Sequence, residues 1–160
     1  ILKVNDADVT SPAEVAKACD TVQGQSTTNA TAVAQYAALA ALTGPQDEIA
    51  KARVMSQERR NVMVDGLNAI PGIKCRKPEG AFYAFADCTG LYGAMLDGKP
   101  IENDTDVAML FLNKAHVVAV PGGAFGAPGH LRLSYAVSVE RIRAALAAMG
   151  AAVAAARSGK

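Results

Sequence analysis

Charge of one sign is scarce in this sequence: 16 Lys and Arg stand against 15 Asp and Glu, a formal net charge of +1. No basic stripe or aromatic-interleaved basic cluster occurs, which argues against a nucleic-acid partner. Aromatic residues make up only 5% of the chain, and there are two histidines. The three cysteines, Cys19, Cys75 and Cys88, are odd in number and lack metal or redox spacing. They read as reduced packing residues, so the expectation is a cytoplasmic protein with no metal site. Long apolar runs are missing too. The alanine-rich tail is interrupted by Arg141, Arg143 and Arg157, which excludes a membrane span there, and no signal peptide is expected at the start. Internal repeats and compositionally disordered segments are also absent. What is present is 160 residues, 51% of them hydrophobic, enough for one domain with a real core.

The most informative stretch runs from Val117 to Ala136. A short apolar run, Val117–Val120, suits a buried strand. Pro121–Gly129 follows with four glycines and two prolines, a composition that no regular element could contain. In the next run, Leu131 and Leu133 alternate with Arg132 and Ser134. With the leucines facing a core, Arg132 and Ser134 point the other way, toward whatever the glycine loop encloses. A guanidinium placed there stays charged and offers two parallel N–H donors to the two oxygens of a carboxylate. Taken by itself, Arg132 reads first as a solvent-facing arginine on an edge strand.

The remaining elements follow from caps and periodicity. Ser11–Pro12–Ala13–Glu14 is a capping box with proline at the first helical position, opening a short helix through about Cys19. Gln23–Asn29 reads as a polar break. A helix then carries Val33, Tyr36, Ala37 and Ala40 on one stripe and ends at Gly44. A long helix is expected from about Gln46 to Ala69, its apolar side formed by Val54, Met55, Val62, Met63 and Leu67. Strands are expected at Ile73–Lys77 and Ala81–Asp87. In the second, Phe82 and Ala84 share one face and Tyr83 and Phe85 the other, with aromatics assigned to a sheet core. Thr89–Asn103 reads as irregular, Asp104–Ala115 as a helix with acidic residues in its first turn, and Ser138 as the cap of the final helix. His116 and His130 lack acidic or metal-binding companions and read as structural.

Three pieces in this order, Gly80–Ala81–Phe82–Tyr83, Pro121–Gly122–Gly123–Ala124–Phe125–Gly126 and Arg132–Leu133–Ser134–Tyr135–Ala136, closely resemble the C-terminal part of class I aminotransferases. These are the pyridoxal-phosphate-dependent enzymes of the aspartate aminotransferase family. The resemblance extends from about Ser11 to the last helix. It implies an α/β fold: the C-terminal small domain of the fold type I transferases, a short sheet packed on helices, plus helices from the end of the large domain. Residues 1–45 would be the terminal segment of the large, cofactor-binding domain, and 46–160 the small domain, led by a long linking helix. The matching arginine in the family binds the substrate α-carboxylate, which gives that role to Arg132. Phe82 would reach the mouth of the substrate pocket, and Gln23–Asn29 would lie at a homodimer interface.

The implied chemistry moves an amino group between an L-amino acid, aspartate first, and a 2-oxo acid. Pyridoxal 5'-phosphate serves as electron sink, and a lysine carries it as a Schiff base. Residues 1–10 depart from the family at the place where that lysine is expected. Lys3 lacks the serine-rich approach and the following glycines, and no lysine from Lys3 to Lys160 has the right context. No catalytic or cofactor-binding residue is therefore assigned. The expectation is a fragment of a longer enzyme, inactive alone, or a chain whose first ten residues come from elsewhere. The competing reading is a non-catalytic interaction or structural module that keeps the small-domain fold.

Overall fold

A computed structural model describes residues 2–4, 7–9, 11–26 and 29–158. The chain divides into two compact units, Ile1–Gln46 and Asp47–Lys160. In the first, β1 (Leu2–Val4) pairs antiparallel with β2 (Ala7–Val9). The Lys3 side chain, Thr10, Thr27, Thr28 and Lys160 lie outside what is described. Helix α1 spans Pro12–Ser26. Its capping box is present: Ser11 N–H donates to Glu14 Oε2 at 3.2 Å and Glu14 N–H to Ser11 Oγ at 3.3 Å. The expected end near Cys19 is corrected, because the helix continues through Gln23, Gly24 and Gln25. Thr21 and Ser26 turn their hydroxyls back onto the carbonyls of Lys17 and Val22. In that arrangement polar residues support a helix and do not break it. Helix α2 (Ala32–Thr43) is capped by Thr31, whose side chain accepts from Ala34 N–H, and ends at Gly44 as expected. Its apolar residues Val33, Tyr36, Leu39 and Leu42 are exposed.

The second unit begins with α3 (Asp47–Asn68), followed by β3 (Lys74–Cys75), β4 (Tyr83–Asp87), β5 (Met95–Leu96) and β6 (Lys99–Pro100). After these come α4 (Asp104–Leu110), one π turn over Phe111–Ala115, β7 (Val120–Pro121), β8 (His130–Ser134) and α5 (Val139–Arg157). The sheet has the order β3-β4-β8-β7, antiparallel throughout. One face of it is covered. Ala84, Ala86, Leu131 and Leu133 share a core with Met63, Val64 and Leu67 of α3, Phe111, and Ile142, Met149 and Val153 of α5. Each large side chain buried this way contributes about 1.5–3 kcal/mol. A Cβ on Gly66 would run into the end of the Leu146 side chain, which would have to shift to admit it.

Several expectations need correction. The strands expected at Ile73–Lys77, Ala81–Asp87 and Val117–Val120 are shorter than read, and the last of them begins only at Val120, leaving Val118 exposed. Only the C-terminal half of α3 packs, and Val54 and Met55 are exposed. Alanines, not aromatics, fill the core side of β4: Ala84 and Ala86 are buried while Tyr83 and Phe85 are half-buried on the opposite face. The small side chains let the core residues of α3 and α5 sit close to the sheet. The stretch 89–103 contains a turn at Thr89–Leu91 and the β5–β6 hairpin. His116, at φ 55°, ends the helical run in the left-handed region.

Helix α4 starts with a second capping box. Asp106 N–H donates to Asn103 Oδ1 at 3.0 Å, and Asn103 N–H donates back to Asp106 Oδ2 at 3.3 Å. Asn103→Ala removes the acceptor and should cost about 1 kcal/mol. Urea unfolding of the chain will read this as a lower midpoint at unchanged slope.

Candidate functional site

The register of β4 and β8 builds a second face on the sheet. Tyr83 lies opposite Ser134, Phe85 opposite Arg132 and Asp87 opposite His130. Because the intervening Ala84, Ala86, Leu131 and Leu133 turn inward, these six side chains share the uncovered side. Arg132 thus stands opposite its flanking leucines, as the alternation requires. Its guanidinium carbon lies 4.5 Å from the centroid of the Tyr83 ring and 4.2 Å from that of Phe125. Such contacts attract a cation by roughly 0.5–1 kcal/mol each while consuming none of its in-plane donors. Among the described residues no carboxylate pairs with Arg132. A caged, positively charged fork without an acid partner is equipped to take a carboxylate from outside.

The glycine loop supplies the Phe125 ring. After β7, Gly122–Phe125 make one 3₁₀ turn, closed by Gly126 N–H to Gly123 O at 3.1 Å and Ala127 N–H to Gly122 O at 3.0 Å. Gly126, at φ 73°, then reverses the chain, a conformation that suits glycine. Phe125 also meets Phe85 edge-on at 6.3 Å. The loop is tied to α4 by a bond that sequence reading missed: Gly123 N–H donates to Asp104 Oδ2 at 2.8 Å. Asp104 reads in sequence only as an acidic residue favoured in a first helical turn. Nothing local distinguishes it from Asp106.

The neighbours are structural. The His130 ring stacks on Phe85 at 5.0 Å and its Nδ1 lies 3.2 Å from Pro128 O. The Thr89 hydroxyl and N–H donate to Asp87 Oδ1 at 2.7 and 2.8 Å and hold its carboxyl below the usual range. Burial first, then the charges of Asp104 and Asp87, push the Cys88 thiol up to about 12, so it is no nucleophile at neutral pH. Among the described residues no group of three or more His, Cys, Asp or Glu could hold a metal ion. No helix among them is long and apolar enough to cross a membrane.

Phe82 sits just before β4, 47% exposed, with its ring centroid 4.4 Å from that of Tyr83. Tyr83 therefore bridges Phe82 and Arg132. Phe82 is held there by the backbone. Ala81 adopts φ 59°, unusual for a residue with a side chain, and the buried Tyr135 hydroxyl donates to Ala81 O at 3.1 Å. Tyr135→Phe removes that bond and should cost about 1 kcal/mol, again readable by urea unfolding. Beside these rings an open concavity of about 490 Å³ is lined by Tyr83, Phe85 and His130 with Arg76, Lys77, Pro78 and Glu79.

Comparison with known proteins places the chain in a family. The family model described as aminotransferase class I and II matches residues 7–149. The aspartate aminotransferase of Rhizobium meliloti (strain 1021) is 45% identical over 142 residues, 88% of this chain and 35% of that protein. The crystal structure of the aspartate aminotransferase from Rhizobium meliloti superposes with a TM-score of 0.79 at 44% identity, covering 89% of this chain and 36% of that one. An alanine aminotransferase from Pyrococcus furiosus gives 0.70 at 32% identity, covering 89% and 34%. The chain thus spans about a third of the length of the relatives it matches, and it has the mixed α/β fold of the fold type I pyridoxal-phosphate-dependent transferases. It belongs to the class I and II aminotransferases.

Proposed function

We propose that this chain is the carboxylate-gripping part of an aminotransferase that moves an amino group between an L-amino acid, aspartate first, and a 2-oxo acid. The observation that carries this is the Arg132 guanidinium, which has no acid partner among the described residues and lies over the rings of Tyr83 and Phe125 on the open sheet face. Binding there would fix the substrate's α-carboxylate by charge and by two parallel hydrogen bonds, orienting the reacting carbon. Phe82, exposed and tilted against the Tyr83 ring, would form the rim of the same pocket. In this reading residues 1–45 are the end of the large domain and 46–160 the small domain. The parent is a cytoplasmic homodimer, with Gln23–Asn29 at its interface.

Pyridoxal phosphate needs an amine for its aldehyde, donors for its phosphate and an acid for its ring nitrogen. The described residues on the Arg132 face do not meet those needs. They are aromatic rings, an imidazole, a serine and an Asp87 carboxylate already engaged by Thr89. Lys77, on the rim of the concavity, is exposed. Lys51 and Lys114 are paired with Glu48 and Asp97, both at 2.7 Å. This chain would contribute the substrate's carboxylate site, and the cofactor would be held by residues of the parent beyond it. Mixed with pyridoxal phosphate and reduced with borohydride, the chain should give no stoichiometric adduct at any single lysine in peptide mapping, and one such adduct would refute this division of labour.

The substrate is tested on the full-length parent by following amino transfer from aspartate, alanine and an aromatic amino acid to 2-oxoglutarate. Aspartate should give the highest kcat/KM. Higher turnover with alanine would move the substrate assignment, and no transfer from any of them would defeat the reading.

A further inference from the structure

We propose that Asp104 is a positioning residue for carboxylate recognition at Arg132, acting through the glycine loop that carries Phe125. The proposal rests on the role given to Arg132 above. Asp104 is the one buried charged side chain among the described residues. A carboxylate removed from water destabilises the fold unless it is hydrogen-bonded, so its retention needs a reason. Capping α4 is not that reason. Asn103 and Asp106 already form the complete capping box, and Asp106 Oδ2 also accepts from Glu102 N–H at 2.9 Å. The Asp104 carboxylate instead reaches across to Gly123 N–H at 2.8 Å, a charge-assisted bond and correspondingly strong.

That bond falls where it controls the loop. Gly122, one residue earlier, is wedged: a Cβ there would collide with Ala127 O and lie 2.8 Å from His130 Cβ. The turn is therefore fixed at two adjacent residues, by a steric stop at Gly122 and a charged acceptor at Gly123. Phe125 follows within the same 3₁₀ turn, and its ring lies 4.2 Å from the Arg132 guanidinium. Asp104 makes no ion pair with Arg132 among the described residues, and its bonded link to the guanidinium's surroundings runs through the loop. With the bond gone, Phe125 is free to leave the guanidinium. Arg132 would then have to be ordered when the carboxylate arrives, and that ordering is subtracted from affinity.

The experiment uses the full-length holoenzyme and succinate, a dicarboxylate without an amino group, whose Kd is measured at a temperature well below every variant's thermal midpoint. Asp104→Ala should raise Kd roughly tenfold and Asp104→Asn, which keeps a neutral acceptor oxygen, about threefold. In a Phe125→Leu background the same substitutions should change Kd by less than about twofold, because the partner through which they act is gone. A merely structural role would lower the thermal midpoint equally in both backgrounds and would not produce that loss of coupling. Arg132→Lys is the control for the underlying reading: if it leaves Kd unchanged, Arg132 is not the carboxylate site. If Arg132→Lys weakens binding while a folded Asp104→Asn binds succinate like the wild type, the Asp104 proposal is overturned and the Arg132 assignment stands. An Asp104 effect undiminished by Phe125→Leu overturns it as well.

Discussion

In the full-length parent, Arg132→Lys is expected to lower kcat/KM about ten- to a hundredfold, the equivalent of 1.5–3 kcal/mol for a lost charge-assisted contact. Lysine keeps the positive charge but presents a single rotating ammonium where arginine presents a planar fork. The two rings sharpen the difference. Tyr83 and Phe125 lie at 4.5 and 4.2 Å from the guanidinium carbon and match a flat cation stacked on their faces. Arg132→Ala should cost more than a hundredfold, because the substrate carboxylate is then desolvated without any partner. Stability should change little in Arg132→Lys, which keeps a cation, and Arg132→Ala should lose no more than the two ring contacts, roughly 1–2 kcal/mol. Arg132 is half-buried, lies outside the core cluster and has no ion pair to lose among the described residues. Were Arg132 a scaffold residue, the pattern would invert: a depressed thermal midpoint with nearly normal turnover per folded molecule. Steady-state kinetics and thermal unfolding on the same preparations separate the two.

The alternation Leu131–Arg132–Leu133–Ser134 was sufficient to turn the guanidinium away from the core, since a period of two leaves no other solution once the leucines are buried. The box at Ser11–Glu14 and the caps at Gly44 and Ser138 were equally legible, because each satisfies backbone groups through a bond spanning only three or four residues. What escaped depended on distant partners. Aromatics on β4 were assigned to a core that alanines fill, and only the close packing of α3 and α5 decides that. The end of α1 was misplaced because hydroxyl-to-carbonyl bonds inside a helix have no sequence signature. Asp104 escaped for the same reason: its bond to Gly123 joins residues nineteen apart, and sequence shows only an acid at a helix start.

Gly122→Ala should destabilise the chain by about 1–3 kcal/mol, the cost of forcing one methyl group into a packed site. The new Cβ would collide with the Ala127 carbonyl oxygen and stand 2.8 Å from both Cβ and the carbonyl oxygen of His130. Backbone atoms cannot rotate away as a side chain does, so the turn itself must open. Opening it breaks the 3.0 Å bond from Ala127 N–H to Gly122 O and moves Phe125 off Arg132. In the parent the same substitution should therefore also weaken carboxylate binding, although residue 122 contributes no group to the site. The adjacent glycine is the control. A Cβ on Gly123 would meet only Asp104 Oδ2, at 3.6 Å, an ordinary contact. Gly123→Ala should accordingly unfold in urea close to the wild-type midpoint, with Gly122→Ala well below it. Equal midpoints for the two would mean that the loop is not wedged at residue 122, and that Phe125 is held over Arg132 by something other than the turn.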